Sequence, residues 1–328
     1  MNDMRKLILS SLLGFGLQAF AGDRVFAPGS FWYQPIPKDA PLHTNSANYA
    51  AEFCRQIKAY YGTVSINTAT YACPIYVVGP DVKTVTVTKW DGQKNGYKEK
   101  RLDDEWQAVP IPDYAQPADG TDAEMCIYQP SSDSLWEFWL TRKVDGQWQA
   151  CWGGGMRNVS KNPGIWEYRH GTTATSLPFI GGQLTPEELR AGKIEHVMGI
   201  ALVDCEHFSI VSWPATRSDG WNPKKEPNRI PEGLRFRLDP AVDVEKLQLS
   251  PVGKIVARAA QTYGFVVWDK AGAITLRANN PKALTQQGGK DPYPEIFGGK
   301  PAWSILQGMP WERLQFLPMN YGRPEKTK

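Results

Sequence analysis

The chain has 328 residues, 41% of them hydrophobic, and a formal charge of +3. That length can bury a core without covalent staples, and its scattered Lys and Arg exclude the clustered basic footprint by which a nucleic-acid binder displaces counterions. Beyond the N-terminus no stretch is long and apolar enough to cross a bilayer, which takes about 20 residues.

Arg5 and Lys6 precede an uncharged apolar run from Leu7 to Phe20 that closes on Ala19-Phe20-Ala21. A positive start, an apolar middle and small residues at the junction predict a secretory signal peptide over 1–21, cleaved after Ala21. The mature chain is then expected to be secreted or periplasmic, not membrane-embedded, and monomeric. It reads as a single β-rich unit over 22–328, with an N-terminal lobe over 22–115, bounded by the stretch 110–120, as the other division. Cys54, Cys73, Cys126, Cys151 and Cys205 leave at least one thiol over in an oxidising compartment, and Cys54 with Cys73, near neighbours in sequence, is the expected pair. None forms a CxxC pair, so zinc-ribbon or thioredoxin chemistry is not indicated.

Residues 22–44 look irregular and Pro-rich. A helix is predicted over 46–61, capped by Ser46, with Ala50, Phe53, Ile57 and Tyr60 on one face and Gly62 as its stop. Strands are predicted over 71–78, 82–89 and 123–129, then over 134–142 and 147–152 around the hairpin signal Val144-Asp145-Gly146. Gly153-Gly154-Gly155 reads as a bend, with no following GK[ST] to make a phosphate loop. A capping box opens a short helix at Thr185-Pro186-Glu187-Glu188, and Gly192 ends it. Strands over 194–203 and 208–213 are expected to pair. Further strands follow over 235–238, 265–269 and 273–278, and a helix opens at Ser250-Pro251 with an apolar stripe ending at Gly264. The sum predicts a mainly β fold: an antiparallel β-sandwich or jelly-roll-like body with a few peripheral α-helices.

Several stretches taken together carry a likeness. They are Pro35-Ile36-Pro37-Lys38-Asp39-Ala40-Pro41 with Asn45-Ser46-Ala47, Trp136-Glu137-Phe138-Trp139, Thr173-Ala174-Thr175-Ser176-Leu177-Pro178, the run Glu188 to His196, and Ile230-Pro231-Glu232-Gly233 through Arg237-Leu238-Asp239-Pro240. In combination they resemble a widespread family of secreted bacterial proteins over nearly the whole mature chain. The departure is at Trp32-Tyr33-Gln34, where that family usually shows Trp-Asn-Thr. The resemblance implies one secreted unit and assigns no reaction.

Glu137 is the leading candidate for chemistry. On an extended strand it shares a face with Leu135 and Trp139, while Trp136, Phe138 and Leu140 take the other. A carboxyl so desolvated is expected to have a raised pKa, as a general acid in glycan cleavage requires; an ion pair with Arg142 or Arg237 is the structural alternative. His196 falls in an apolar alternation with Ile194, Met198, Ile200 and Leu202, where a hydrogen-bonded core histidine is the competing explanation. Trp213, Arg217, Asp219 and Trp221 lie on one loop after a strand, suited to stacking a sugar ring and gripping an acidic one, or simply to an Asp-Gly turn. His170 heads a polar loop, and Asp204-Cys205-Glu206-His207 has the residue types of a metal site without the spacing.

These residues point to a carbohydrate-active enzyme cleaving a polysaccharide or cell-wall glycan in an aromatic-lined cleft. A glycoside hydrolase would use Glu137 as acid with Asp219 or Asp133 as second carboxylate. A polysaccharide lyase would use His196 or a tyrosine as base and Arg217 against a uronic carboxylate. Trp139, Trp213, Arg217 and His170 would bind the sugar, and no motif requires a metal or cofactor. The alternatives are a non-catalytic glycan-binding or envelope protein, and an antibacterial effector directed at a cell wall.

Overall fold

The computed structural model describes residues 24–96 and 98–325, so the expected signal peptide lies outside the described residues. Among the described residues thirteen strands run in chain order: β1 Ser65–Asn67, β2 Ile75–Val77, β3 Thr88–Lys89, β4 Met125–Gln129, β5 Ser134–Trp139, β6 Arg142–Val144, β7 Gln147–Ala150, β8 Trp152–Arg157, β9 Met198–Leu202, β10 Arg235–Leu238, β11 Phe265–Lys270, β12 Thr275–Arg277 and β13 Leu314–Phe316. The helices are α1 Ser46–Ala59, α2 Lys100–Glu105, α3 Phe179–Gly182, α4 Pro186–Ala191, α5 Pro251–Thr262, α6 Lys282–Thr285 and α7 Tyr293–Ile296.

The strands form a six-stranded sheet in the order β1-β12-β9-β11-β10-β13, a four-stranded sheet β2-β4-β5-β8, and a three-stranded sheet β3-β7-β6. Alternation along the strands decides what faces what. Met198, Ile200 and Leu202 of β9, with Phe265 and Val267 of β11, turn toward Phe53 of α1 and Val256 of α5. Their neighbours Val266 and Trp268 turn the other way, onto a cluster shared with Leu135, Cys126 and Met156 of the four-stranded sheet and with Trp32, Trp166 and Phe179. Trp136 and Phe138, on the far face of β5, pack with Trp106, Trp148 and Leu102. β5 is therefore buried on both faces, and Glu137 lies on the one that looks toward the large sheet.

The expected antiparallel body needs correction. Pairs such as β5 with β8 and β10 with β13 are antiparallel, but β1 with β12, β9 with β11, β2 with β4 and β3 with β7 are parallel. Helical turns of all kinds and strands occupy 24% and 20% of the described residues, so the architecture is a set of mixed sheets with helices. Two local expectations also fail. Residues 208–213 form no strand, and β9 pairs instead with β11 and β12. The three glycines lie inside β8, where a Cβ on Gly154 would sit 2.9 Å from the Trp166 ring and 3.1 Å from the His170 Cβ. Close approach, not bending, is what they permit.

Strong local signals correspond to elements: the Thr185–Glu188 capping box with Gly192 left-handed at the end of α4, and Asp145 and Gly146 at positive φ joining β6 to β7. All five cysteines are free thiols. Cys54 packs on the helical side of the large sheet while Cys73 is buried between the two sheets, so the expected pair does not form. Among the described residues no helix is long and apolar enough to cross a membrane.

Candidate functional site

Glu137 is fully buried. Its Oε1 accepts from the Phe179 N–H at 2.6 Å, and its Oε2 from the Thr172 hydroxyl at 3.0 Å, the Trp166 indole at 3.2 Å and the Thr172 N–H at 3.4 Å. Burial pushes the carboxyl up to about 7, and these donors hold it down from a higher value. The residue thus ties the 166–179 segment onto the four-stranded sheet. Neither Arg142 nor Arg237 pairs with it: Arg142 reaches Gln149, and Arg237 reaches Gln315 and the carbonyls of Pro37 and Lys38. Asp133 binds Ser160 in a separate turn.

His196 does not meet Glu137. It precedes β9, with Nδ1 2.9 Å from the Val197 carbonyl and Nε2 3.1 Å from Glu188 Oε1. Both neighbours are acceptors, so the ring is held as an imidazolium facing an ionised carboxylate that also closes the α4 capping box. Burial alone would depress the His196 pKa, yet the facing Glu188 raises it above its ordinary value, and Glu188 is lowered in turn. The stability from His196 is therefore complete below its unfolded value and lost as pH rises through the raised one. That from Glu188 is complete above the ordinary carboxylate value and lost as pH falls. His196→Gln is expected to cost about 1–3 kcal/mol near pH 5.5 and clearly less near pH 9, measured by urea unfolding; an equal cost at both would exclude the ion pair. The two residues line a groove of about 310 Å³ with Arg24, Tyr33, Gln183 and Asn279.

The 213–221 loop divides. The Trp213 ring meets Phe31 edge-on at 5.5 Å and its backbone N–H donates to Asn320 Oδ1 at 2.9 Å, so the residue links the segments around Phe31 and Asn320. Arg217 turns elsewhere and donates from Nη2 to the carbonyls of Gly171 at 2.9 Å and Thr173 at 2.7 Å. Burial draws its pKa down to about 10, which leaves it cationic at neutral pH. Its guanidinium is 5.7 Å from the Trp152 ring. Asp219 is exposed, and its N–H donates to Glu232 Oε2 at 3.1 Å.

Arg217 thereby fastens the turn that carries His170, and here the structure brings several candidates together. His170 is 2% exposed, with Nδ1 3.3 Å from Glu105 Oε2 and Nε2 buried without a hydrogen-bond partner. Glu105, the last residue of α2, also accepts from the Gly155 N–H at 2.7 Å on the free edge of β8. The Trp152 ring stands edge-on to the imidazole at 5.6 Å, and the Tyr168 ring lies 5.7 Å away. Trp139 is the cross-strand partner of Trp152 and shares its face. Tyr168 and Arg169 both hold left-handed backbones, φ 52° and 61°, which cost non-glycine residues about 1 kcal/mol or more each and concentrate at functional turns. Gly171, at φ 87°, packs so tightly on Trp166 that a Cβ would come within 2.1 Å of the ring.

Around this turn lie buried acids absent from the sequence-based expectation. Arg277 reaches Glu124 at 3.2 Å and Asp269 at 3.0 Å, so one guanidinium serves two buried carboxyl groups. Burial pushes Asp269 to about 6 and Glu124 to about 8. Glu232 is likewise pushed to about 8, first by burial and then by Asp219, and its Oε1 has no hydrogen-bond partner. Among the described residues no group of three or more His, Cys, Asp or Glu side chains is arranged to hold a metal ion. In the Asp204–His207 run, Asp204 pairs with Arg55 and Arg229 while the His207 ring packs tilted against Phe208. No known protein family, curated protein or solved structure matches this chain.

Proposed function

We propose that the chain is a carbohydrate-active enzyme that cleaves a polysaccharide, with His170 rather than Glu137 or His196 as the group that moves the proton. The observation that carries this reading is the Glu105–His170 pair with an unpartnered Nε2, set against Trp152 and the cationic Arg217. A carboxylate behind Nδ1 favours the tautomer whose Nε2 lone pair is available as a base. In a uronate-containing chain, Nε2 takes the proton α to the carboxyl group, the C–O bond on the next carbon breaks, and the new double bond takes up the electron pair. The departing oxygen receives its proton from water. Arg217 supplies a fixed positive charge, and displacement of the exposed Tyr168 ring opens the way to His170. The same reading keeps residues 1–21 as an export signal and the likeness to secreted bacterial proteins.

A hydrolytic reading has its own support. Burial and the neighbouring Asp219 push Glu232 up to about 8, its Oε1 is unpartnered, and its Oε2 accepts from the Asp219 N–H. A raised acid and a second carboxyl-bearing residue are thus neighbours, the two residue types that glycoside hydrolysis uses. Incubation with acidic and neutral polysaccharides separates the two. Unsaturated, ultraviolet-absorbing ends are expected for elimination; new reducing ends without that absorbance would transfer the chemistry to Glu232. Retention on a polysaccharide with no product of either kind would remove catalysis and leave a binding protein.

A further inference from the structure

An exposed group of aromatic rings has no part in the cluster above. The Phe208 and Trp221 rings are 51% and 60% exposed and nearly parallel, 6° apart in plane with centroids 6.3 Å from each other. The His207 ring completes the group at 4.0 Å from Phe208 and 5.7 Å from Trp221, and Ile210 beside them is 48% exposed. A monomeric surface seldom gathers large apolar side chains without using them.

The backbone beneath them is held firmly. The Phe208 N–H donates to the Gly220 carbonyl at 2.9 Å, joining the two ring-bearing loops, and a Cβ on Gly220 would collide with the Glu206 carbonyl at 1.9 Å. Asn222 then binds Glu206 Oε1 at 3.0 Å and both the carbonyl and the N–H of Glu226 at 2.9 and 2.8 Å. Rings fixed in this way present a surface that loses little entropy on binding.

We infer that His207, Phe208 and Trp221 form a stacking platform for the pyranose rings of a polysaccharide chain, a binding subsite that feeds the His170 cluster. Pyranoses carry flat C–H faces that lie on aromatic rings, with hydroxyls left at the edge for polar groups such as His207 and Ser209, whose side chains are bonded at 2.8 Å. Exposed Lys224 and Lys225 follow Trp221, but exposed Asp219 and Glu226 offset them, so stacking rather than net charge governs the contact. The platform is linked to the cluster through the chain: the loop that carries Trp221 also carries Arg217, which holds Gly171 and Thr173 beside His170. The feeding role rests on the function proposed above; the binding role does not.

The test compares the full chain with Phe208→Ala/Trp221→Ala in affinity electrophoresis and in cleavage of a soluble polysaccharide. Loss of both rings is expected to weaken polymer binding about tenfold or more and to raise KM with kcat unchanged. Trp221→Phe restores most of the binding, and wild-type affinity persists in about 0.5 M salt, where surface charge is screened. Thermal unfolding of the double variant should match wild type, because the rings are exposed. Binding by the double variant within about twofold of wild type, with cleavage intact, overturns the platform and leaves the enzyme. Ring-dependent binding without any cleavage supports the platform and overturns the enzyme; neither binding nor cleavage by wild type overturns both.

Discussion

His170→Ala is expected to lower kcat on a polysaccharide the protein cleaves by about 10²–10⁴-fold, the range that a positioned acid or base contributes. The ring is buried but held by a single polar partner, Glu105 at 3.3 Å, so its loss should leave the far-ultraviolet circular dichroism unchanged. Glu105→Gln provides the control for a merely structural role. Its amide oxygen can still accept from Gly155 or from the imidazole, but without charge the preference for an available Nε2 weakens. Activity should fall less than in His170→Ala, and the pH profile of kcat/KM should move. An unchanged rate in both variants would remove proton transfer from this turn, while a changed rate with an unmoved profile in Glu105→Gln would make the carboxylate a brace for the β8 edge alone.

The largest effect on stability is expected at Glu137. Removal of its carboxyl in Glu137→Ala strands the Phe179 and Thr172 N–H groups and the Trp166 indole inside the molecule and leaves a void between the sheets. Together these should cost about 3–5 kcal/mol in urea unfolding. The charge has a pH signature of its own. A carboxyl raised to about 7 makes the folded state bind more protons than the unfolded chain between the ordinary carboxylate pKa and that value. The folded state therefore loses stability as pH rises through this window, by on the order of 3 kcal/mol from this group. Glu137→Gln, close in shape and unable to ionise, should show a correspondingly shallower fall between about pH 5 and about pH 8. Parallel pH dependences in the two proteins would mean that Glu137 does not titrate there.

Periodicity and capping are local, and what they govern was legible. The stripe of α5, the Thr185 cap of α4, the Asp145-Gly146 turn and the alternation that separates Glu137 from Trp136 and Phe138 all follow from neighbours within a few positions. Legibility fails where the partner is remote. Nothing near Glu137 in sequence announces that the Phe179 N–H, 42 residues on, will meet it, so a group suited to catalysis and a group used as internal anchor look alike in one dimension. His196 is similar: the apolar alternation around it is real, but the strand begins at Met198, and Glu188 is what its ring faces. At His170 the signal was weaker still. Its partner Glu105 ends a short polar helix, and the glycines of β8 that admit the turn resemble an ordinary bend until Trp166 is seen lying on them. Parallel pairing was missed for a related reason, since alternation identifies a strand without revealing the direction of its neighbour.

The order of the large sheet has a consequence for how the protein matures. Its outer members, β1 and β13, come from residues 65–67 and 314–316, and the strands between them are drawn from the second half of the chain. A nascent polypeptide emerging from the ribosome cannot complete this sheet until residues 314–316 are available, and pairings so distant in sequence form slowly. Trimming the chain before residue 314 would strip the strand that covers the β10 edge and Phe236. The sheet thus reaches its full width only once β13 is in place, so its assembly depends on strands spread across about 250 residues of sequence.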